Sequence, residues 1–254
     1  MTNATAIDFT IRREQLFTKS GKATNRDAII RNDTEDIVGI VSDSYNEIEY
    51  RPAFDAASKA LDKVGGLHMK KLEVSPNGSR MFAHFEQEME AEVVKGDIVK
   101  PTLILTNSLD GSTKFGFMLG AFRLVCSNGL MAGVSAMNIS VKHTANLDID
   151  EVAHRGEDAL DLFTKKTLPL WSRMNEIKYA TQYYIDEMLS LKNIIPQKMT
   201  ERVAELANNK QESSIWEVYN HYTYHLTHEY NGSVDRRMEL STTIAKTVIK
   251  RFVK

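Results

Sequence analysis

The chain carries one cysteine, Cys126, set beside Ser127, Asn128 and Gly129 at the end of the apolar run Phe122-Arg123-Leu124-Val125. A thiol acts as a nucleophile when a base and a favourable environment lower its pKa. His143 is one histidine that folding could bring to it. The segment lacks the flanking glycines of a nucleophile elbow, and free cysteine packs as a small hydrophobe. The expected role of Cys126 is therefore buried and structural. Asn128-Gly129 is expected to be the turn where the chain leaves a sheet, since both residues accept left-handed backbone angles. Arg123 alternates away from the face of Phe122 and Leu124, where it can meet an acid or a phosphate.

A second constellation is His221, His225 and His228, spaced i, i+4 and i+7 on a predicted helix and so sharing one face. Histidines at i, i+4 suit zinc. The HExxH pattern is absent, however, and the nearest acid, Glu229, is turned from the three by roughly 40° or more on the helical wheel. Trp216, Tyr219, Thr223, Leu226 and Tyr230 form the opposite face, expected to be buried. A single cysteine excludes a thiolate zinc cluster. No GxxxxGK[ST] loop and no GxGxxG fingerprint occurs, and Gly116 and Gly120 fall inside a predicted strand. Glu86, Glu88, Glu90 and Glu92 alternate along another predicted strand and read as a solvated face. No metal and no cofactor is expected, and no catalytic set is assigned.

The elements that must position these residues fall into two halves. The first thirty residues are polar and basic and read as an arm or short helix. A strand follows over Ile37–Ser42, then a helix from Pro52 to the stop at Gly65-Gly66. Two strands flank Pro76-Asn77-Gly78, a strong hairpin signal. A second hairpin has Asp110-Gly111 at its tip, and Asn138 to His143 reads as a strand. Beyond residue 150 the period becomes helical. Asp150 is placed to cap the first helix. Pro169 opens a longer one through Leu170, Met174, Ile177, Tyr184, Met188 and Leu191. Further helices are expected over about 199–208, over Ser214–Tyr230 and over Val234–Phe252. The fold class is α+β: an antiparallel or mixed sheet of hairpins with a packed helix, then a helical half. The expected division is a basic arm over 1–30, a sheet region over 31–147 and a helical region over 148–254 packed on it as one unit.

Composition narrows the function classes. At 254 residues and 42% hydrophobic the chain can bury a core. A formal charge of −2 makes the whole chain no polyanion binder, but the charge is segregated. Residues 11–31 hold six basic residues against two acids, and the C-terminus adds Lys246, Lys250, Arg251 and Lys254. Residues 148–161 hold six acids against Arg155. Such ends fit a nucleic-acid face or head-to-tail contact between subunits. The candidate nucleic-acid contacts are Arg12, Arg13, Arg123, Lys250 and Arg251. No apolar stretch is long enough to span a membrane, the N-terminus lacks the pattern of a signal peptide, and a lone cysteine suits a reducing compartment. The expected location is the cytoplasm.

Several stretches taken together carry a resemblance. RNDTEDIVGIVSDSYNEI, LTNSLDGSTKFGFMLGAFRLVCSNGL, ISVKHT and SIWEVYNHYTYHLTHE resemble, in order, phage- and plasmid-borne proteins grouped as a domain of unknown function by an R-[LV]-V-C-x-N-[GT]-L signature. The likeness runs from about residue 30 to 235. Its centre is Asn107-Ser108, Asp110-Gly111-Ser112, then Arg123, Cys126, Asn128 and Gly129, with Leu109 where the pattern has histidine. The resemblance implies a mobile-element origin and no defined activity. Three readings follow. The first is an accessory protein, expected to be a homo-oligomer, that binds or anneals single-stranded nucleic acid in replication or recombination. The second is an interaction protein that inhibits a host defence factor. The third is an enzyme using Asp110, Arg123 and a histidine.

Overall fold

The computed structural model describes residues 4–123, 128–131, 139–140, 149–208 and 210–253. Cys126 and His143 lie outside them, as does the side chain of Arg123. The strands are β1 (Ile11–Phe17), β2 (Ala23–Arg31), β3 (Ile37–Ser42), β4 (Leu67–Val74), β5 (Arg80–Gln87), β6 (Ala91–Val94), β7 (Asp97–Ser108), β8 (Gly116–Arg123), β9 (Asn128–Met131), β10 (Ile139–Ser140), β11 (Lys178–Ala180) and β12 (Glu212–Ser214). The helices are α1 (Tyr50–Val64), α2 (Ile149–Leu162), α3 (Leu168–Glu176), α4 (Thr181–Leu189), α5 (Gln197–Leu206), α6 (Ile215–Tyr224) and α7 (Val234–Phe252). Sheets in the N-terminal half and helices in the C-terminal half make the fold α+β.

The chain packs as two compact units interleaved in sequence. The first holds Met1–Glu86, Leu103–Met118 and Asn138–Asp158, and the second holds the remainder. Strands β7 and β8 each contribute one part to each unit.

In the first unit β1, β2 and β3 form an antiparallel sheet in that order. The residues expected to form an arm or short helix are thus paired strands. Ile29 of β2 faces Arg13 on one side and Gly39 on the other, and Ala28 to Ile30 are buried. The apolar run at the end of β2 supplies a core face that a solvated arm cannot use. Around α1, burial falls at Tyr50, Ala53, Ala57, Ala60 and Leu61, the i, i+3, i+4 spacing of one face. Strands β4 and β5 meet at the Pro76-Asn77-Gly78 turn, as the sequence predicts. The strand expected to carry four glutamates on one face is interrupted. β5 ends at Gln87 and a separate β6 begins at Ala91 and pairs with β7. Glu86 pairs with Lys70 in this unit, and in the second unit Glu90 pairs with Lys100 and Glu92 accepts the Gly96 N–H.

Glu73 of β4 stands between Lys71, at 2.9 Å, and the ring of His84, at 3.2 Å. Burial pushes its carboxyl up, but hydrogen bonds from His84 and Lys71 outweigh burial and hold the pKa at about 2. A folded pKa below the ordinary value of 4.5 stabilises the fold above that value. The contribution is lost as pH falls through the folded pKa. Glu73→Gln is expected to lower stability at pH 7 by about 1–2 kcal/mol. In urea titrations the gap to the parent protein should close between pH 4.5 and 2; a gap constant across that window contradicts the assignment.

In the second unit Trp171, Trp216, Tyr219, Tyr222, Leu240, Ile244 and Val248 are among the buried side chains. Trp171 and Trp216 lie with ring centroids 5.4 Å apart. The long helix expected from Pro169 is two helices. Ile177 turns extended, and residues 178–180 pair with 212–214 as β11 and β12. The backbone groups of that segment satisfy a neighbouring strand instead of a helix. Ser214 then caps α6, its hydroxyl accepting from Glu217 N while Glu217 accepts from Ser214 N. Asn128 and Gly129, expected to be a turn, begin β9 and pair antiparallel with Arg123 and Phe122.

Candidate functional site

The motif Asn107-Ser108-Leu109-Asp110-Gly111-Ser112 sits in the first unit and is occupied with holding itself together. Asn107, fully buried, donates its amide to Ile48 O at 2.9 Å. The Ser108 hydroxyl donates to Thr113 O and accepts from Thr113 N, while Ser108 O accepts from the Tyr45 hydroxyl. Asp110 accepts from both the backbone and the hydroxyl of Ser112, an Asx-type turn. Its other oxygen lies 3.6 Å from Arg80 Nε. Gly111 has φ +72, where a side chain is disfavoured, and faces the Tyr45 ring. Leu109 is fully buried and donates its N–H to Ser79 O, so this loop carries no imidazole at that place.

Two of the candidate arginines are held by carboxylates in the same unit. Arg12 meets Glu35 through both terminal nitrogens and Glu14 through Nε. Arg13 stands 3.3 Å from both Asp27 and Glu47 and donates to the carbonyls of Ser42 and Tyr45. A phosphate would have to displace these partners.

The end of α7, in the second unit, differs. Phe252 is buried there, stacked on Tyr184 at 4.2 Å and touching Tyr179 at 5.9 Å. Tyr179 in turn meets Tyr183 at 5.5 Å, and Tyr183 is 48% exposed. Lys250 and Arg251 precede Phe252 and are exposed. Arg251 pairs with Glu187; Lys250 makes no ion pair among the described residues. The arrangement is a ladder of rings, rooted in the core and open at one end, against the helix end that carries Lys250 and Arg251.

A family described as Domain of unknown function (DUF932) matches residues 37–248, most of the chain. The chain belongs to the DUF932 family. Two proteins of Escherichia coli (strain K12), UPF0380 protein YfjQ and UPF0380 protein YafZ, are each 34% identical to this DUF932 chain over 65 residues. Each match covers 26% of the chain and 23% of the relative, about a quarter of the curated relatives' length. No solved structure matches it.

The histidine face of the DUF932 chain behaves differently from the wheel. Residues His225–Glu229 form a π-helical turn, and His225 Nδ1 lies 2.8 Å from Glu229, the acid expected to turn away. Glu229 also takes two hydrogen bonds from Arg202. Those from Arg202, then His225, hold its carboxyl down at about 2. His228 packs instead against the Tyr224 ring at 4.8 Å. Trp216, Tyr219, Thr223 and Leu226 are buried as expected, and Tyr230 is half-buried. Sequence reasoning named Lys250 and Arg251 as candidates and did not single out Tyr179 or Tyr183. Tyr184 stood in the predicted apolar stripe, and a ring on a short strand beside it leaves no periodic signal.

Proposed function

We infer that the chain binds single-stranded nucleic acid through the ring ladder at the end of α7, as an accessory protein of a mobile genetic element. The observation that carries this reading is the contact of half-buried Tyr179 with exposed Tyr183 against the end of α7, the helix that carries Lys250 and Arg251. Rings that stack bases next to cations that meet phosphates are how strands are held without regard to sequence. The resemblance to phage- and plasmid-borne proteins supports the mobile-element setting. Assembly into a homo-oligomer would repeat the patch along a strand and suit annealing.

Fluorescence anisotropy on a labelled oligothymidylate tests it. Tyr183→Ala is expected to weaken binding about tenfold, the loss of one stacked base. Lys250→Ser should flatten the log–log salt slope by about 0.7, one lost phosphate contact, whereas Arg251→Ser should change it little, because Glu187 already holds that guanidinium. Arg12→Ser with Arg13→Ser should leave the slope unchanged, because carboxylates already hold both. No binding of DNA or RNA at low salt, in any oligomeric state, ends the reading. Ile37 and Ile40, 57% and 56% exposed on the edge strand β3, favour a second reading. In that case the strand would pair with a protein partner, and a host defence factor is the proposed class.

A further inference from the structure

We propose that a cleft along α6, in the second unit, binds a mononucleotide, with the base in its buried part and the phosphate at its mouth. The cleft holds about 720 Å³, inside the range of roughly 300–1,000 Å³ that small-molecule sites occupy. Its walls come from the β6–β7 turn, the end of α5 and one side of α6. This site is separate from the ring ladder and does not depend on strand binding.

The lining has two chemically different ends. Asp97, Trp216 and Asn220 are buried. Asp97 accepts the Trp216 indole N–H at 2.7 Å, and the Asn220 amide donates to Trp216 O at 2.9 Å. These bonds fix a carboxylate and a carboxamide in place on the cleft wall. An ionised carboxylate only accepts hydrogen bonds, whereas a carboxamide both donates and accepts. Together they match the edge of a nucleobase that presents N–H groups, as carboxylates and amides do when they read bases. Towards solvent stand Tyr224, 36% exposed, and Lys95, exposed on the same turn as Asp97. Lys95 makes no ion pair among the described residues, while Lys210 on the same cleft is paired with Glu217 at 2.7 Å. The Tyr224 ring offers a stacking surface, and Lys95 offers a charge for an anion.

Simpler ligands fit less well. A bare phosphate would meet Asp97 and Glu217 as well as Lys95, so the anion has to sit away from the buried carboxylate. A wholly apolar ligand would face a carboxylate and an amide. A molecule with a planar, donor-rich end and an anionic end satisfies both. Guanine presents two adjacent N–H donors and uracil one, so guanosine monophosphate should bind more tightly than uridine monophosphate.

Both tryptophans of the chain lie in this unit, with Trp216 on the cleft, so intrinsic fluorescence reports occupancy. Titration of the full chain with guanosine monophosphate is expected to saturate with Kd on the order of 10–100 μM. Lys95→Ala should weaken that nucleotide about tenfold and leave guanosine unchanged. Asp97→Asn, which keeps an acceptor for the indole N–H, should abolish the preference over uridine monophosphate. If Asp97→Asn does not fold by circular dichroism, Lys95→Ala and Tyr224→Ala decide the matter. Absence of saturable change up to about 10 mM nucleotide overturns the proposal. So does binding that no variant weakens, or inorganic phosphate binding as tightly as the nucleotide. Tyr183→Ala should leave nucleotide binding intact, so loss of strand binding and loss of this site are separate results.

Discussion

Replacing Trp216 by alanine is expected to destabilise the protein by about 4 kcal/mol, the range for deleting a fully buried aromatic side chain. Trp216 is 1% exposed and packs against Trp171 and Tyr219. Its indole N–H is also bonded to Asp97, which is itself buried. The variant therefore opens a cavity and takes a donor from a carboxylate that water reaches poorly. Trp216→Phe separates the two effects, because it fills much of the space and lacks the donor. Urea denaturation followed by circular dichroism measures both. A loss under about 1 kcal/mol for the alanine variant would contradict the packing described.

Gly39→Ala carries the second large effect, about 3 kcal/mol. A Cβ at Gly39 would lie 2.4 Å from Leu109 O and 2.8 Å from Asp110 Cα. Both are backbone atoms, so no side-chain rotation relieves the clash. The strand or the motif loop has to move, and moving the loop breaks its Ser108, Asp110 and Tyr45 hydrogen bonds. The same urea experiment reads the cost. A neutral Gly39→Ala would mean that β3 does not lie against this loop. The contact gives the motif a physical reason: Asn107, Ser108, Asp110, Gly111 and Ser112 build a turn whose backbone seats β3.

The sequence made some of this legible because the signals are local. Asn77-Gly78 and Asp110-Gly111 mark their hairpins through turn chemistry. Val234 to Phe252 reads as one helix because its period is unbroken, and Ile37–Ser42 is apolar with sharp polar ends. The misreadings have non-local causes. Residues 11–31 are polar enough to suggest an arm, and their strands exist because Ala28 to Ile30 are covered by the rest of the unit. Ile177 continues a helical period, yet the chain breaks there because 178–180 find partners in 212–214, more than thirty residues away. Glu86 to Glu92 alternate like one strand, but β5 ends at Gln87 and β6 forms a separate hairpin with the start of β7, Ala91 facing Val99 and Val94 facing Asp97. For the candidate site, formal charge identified Arg12, Arg13, Lys250 and Arg251 alike. Only the fold shows that Glu35, Glu14, Asp27 and Glu47 hold the first pair and that Glu187 holds Arg251, while Lys250 makes no ion pair among the described residues.

We propose that a strand stacks on Tyr183 and Tyr179 at the end of α7. The most direct test is photo-crosslinking with an oligothymidylate carrying a single 5-iodouracil, followed by mass spectrometry of the adducts. Adducts are expected on Tyr183 or Tyr179, suppressed by salt and by Lys250→Ser. Adducts confined to other residues, or none under conditions where the strand is bound, would contradict it.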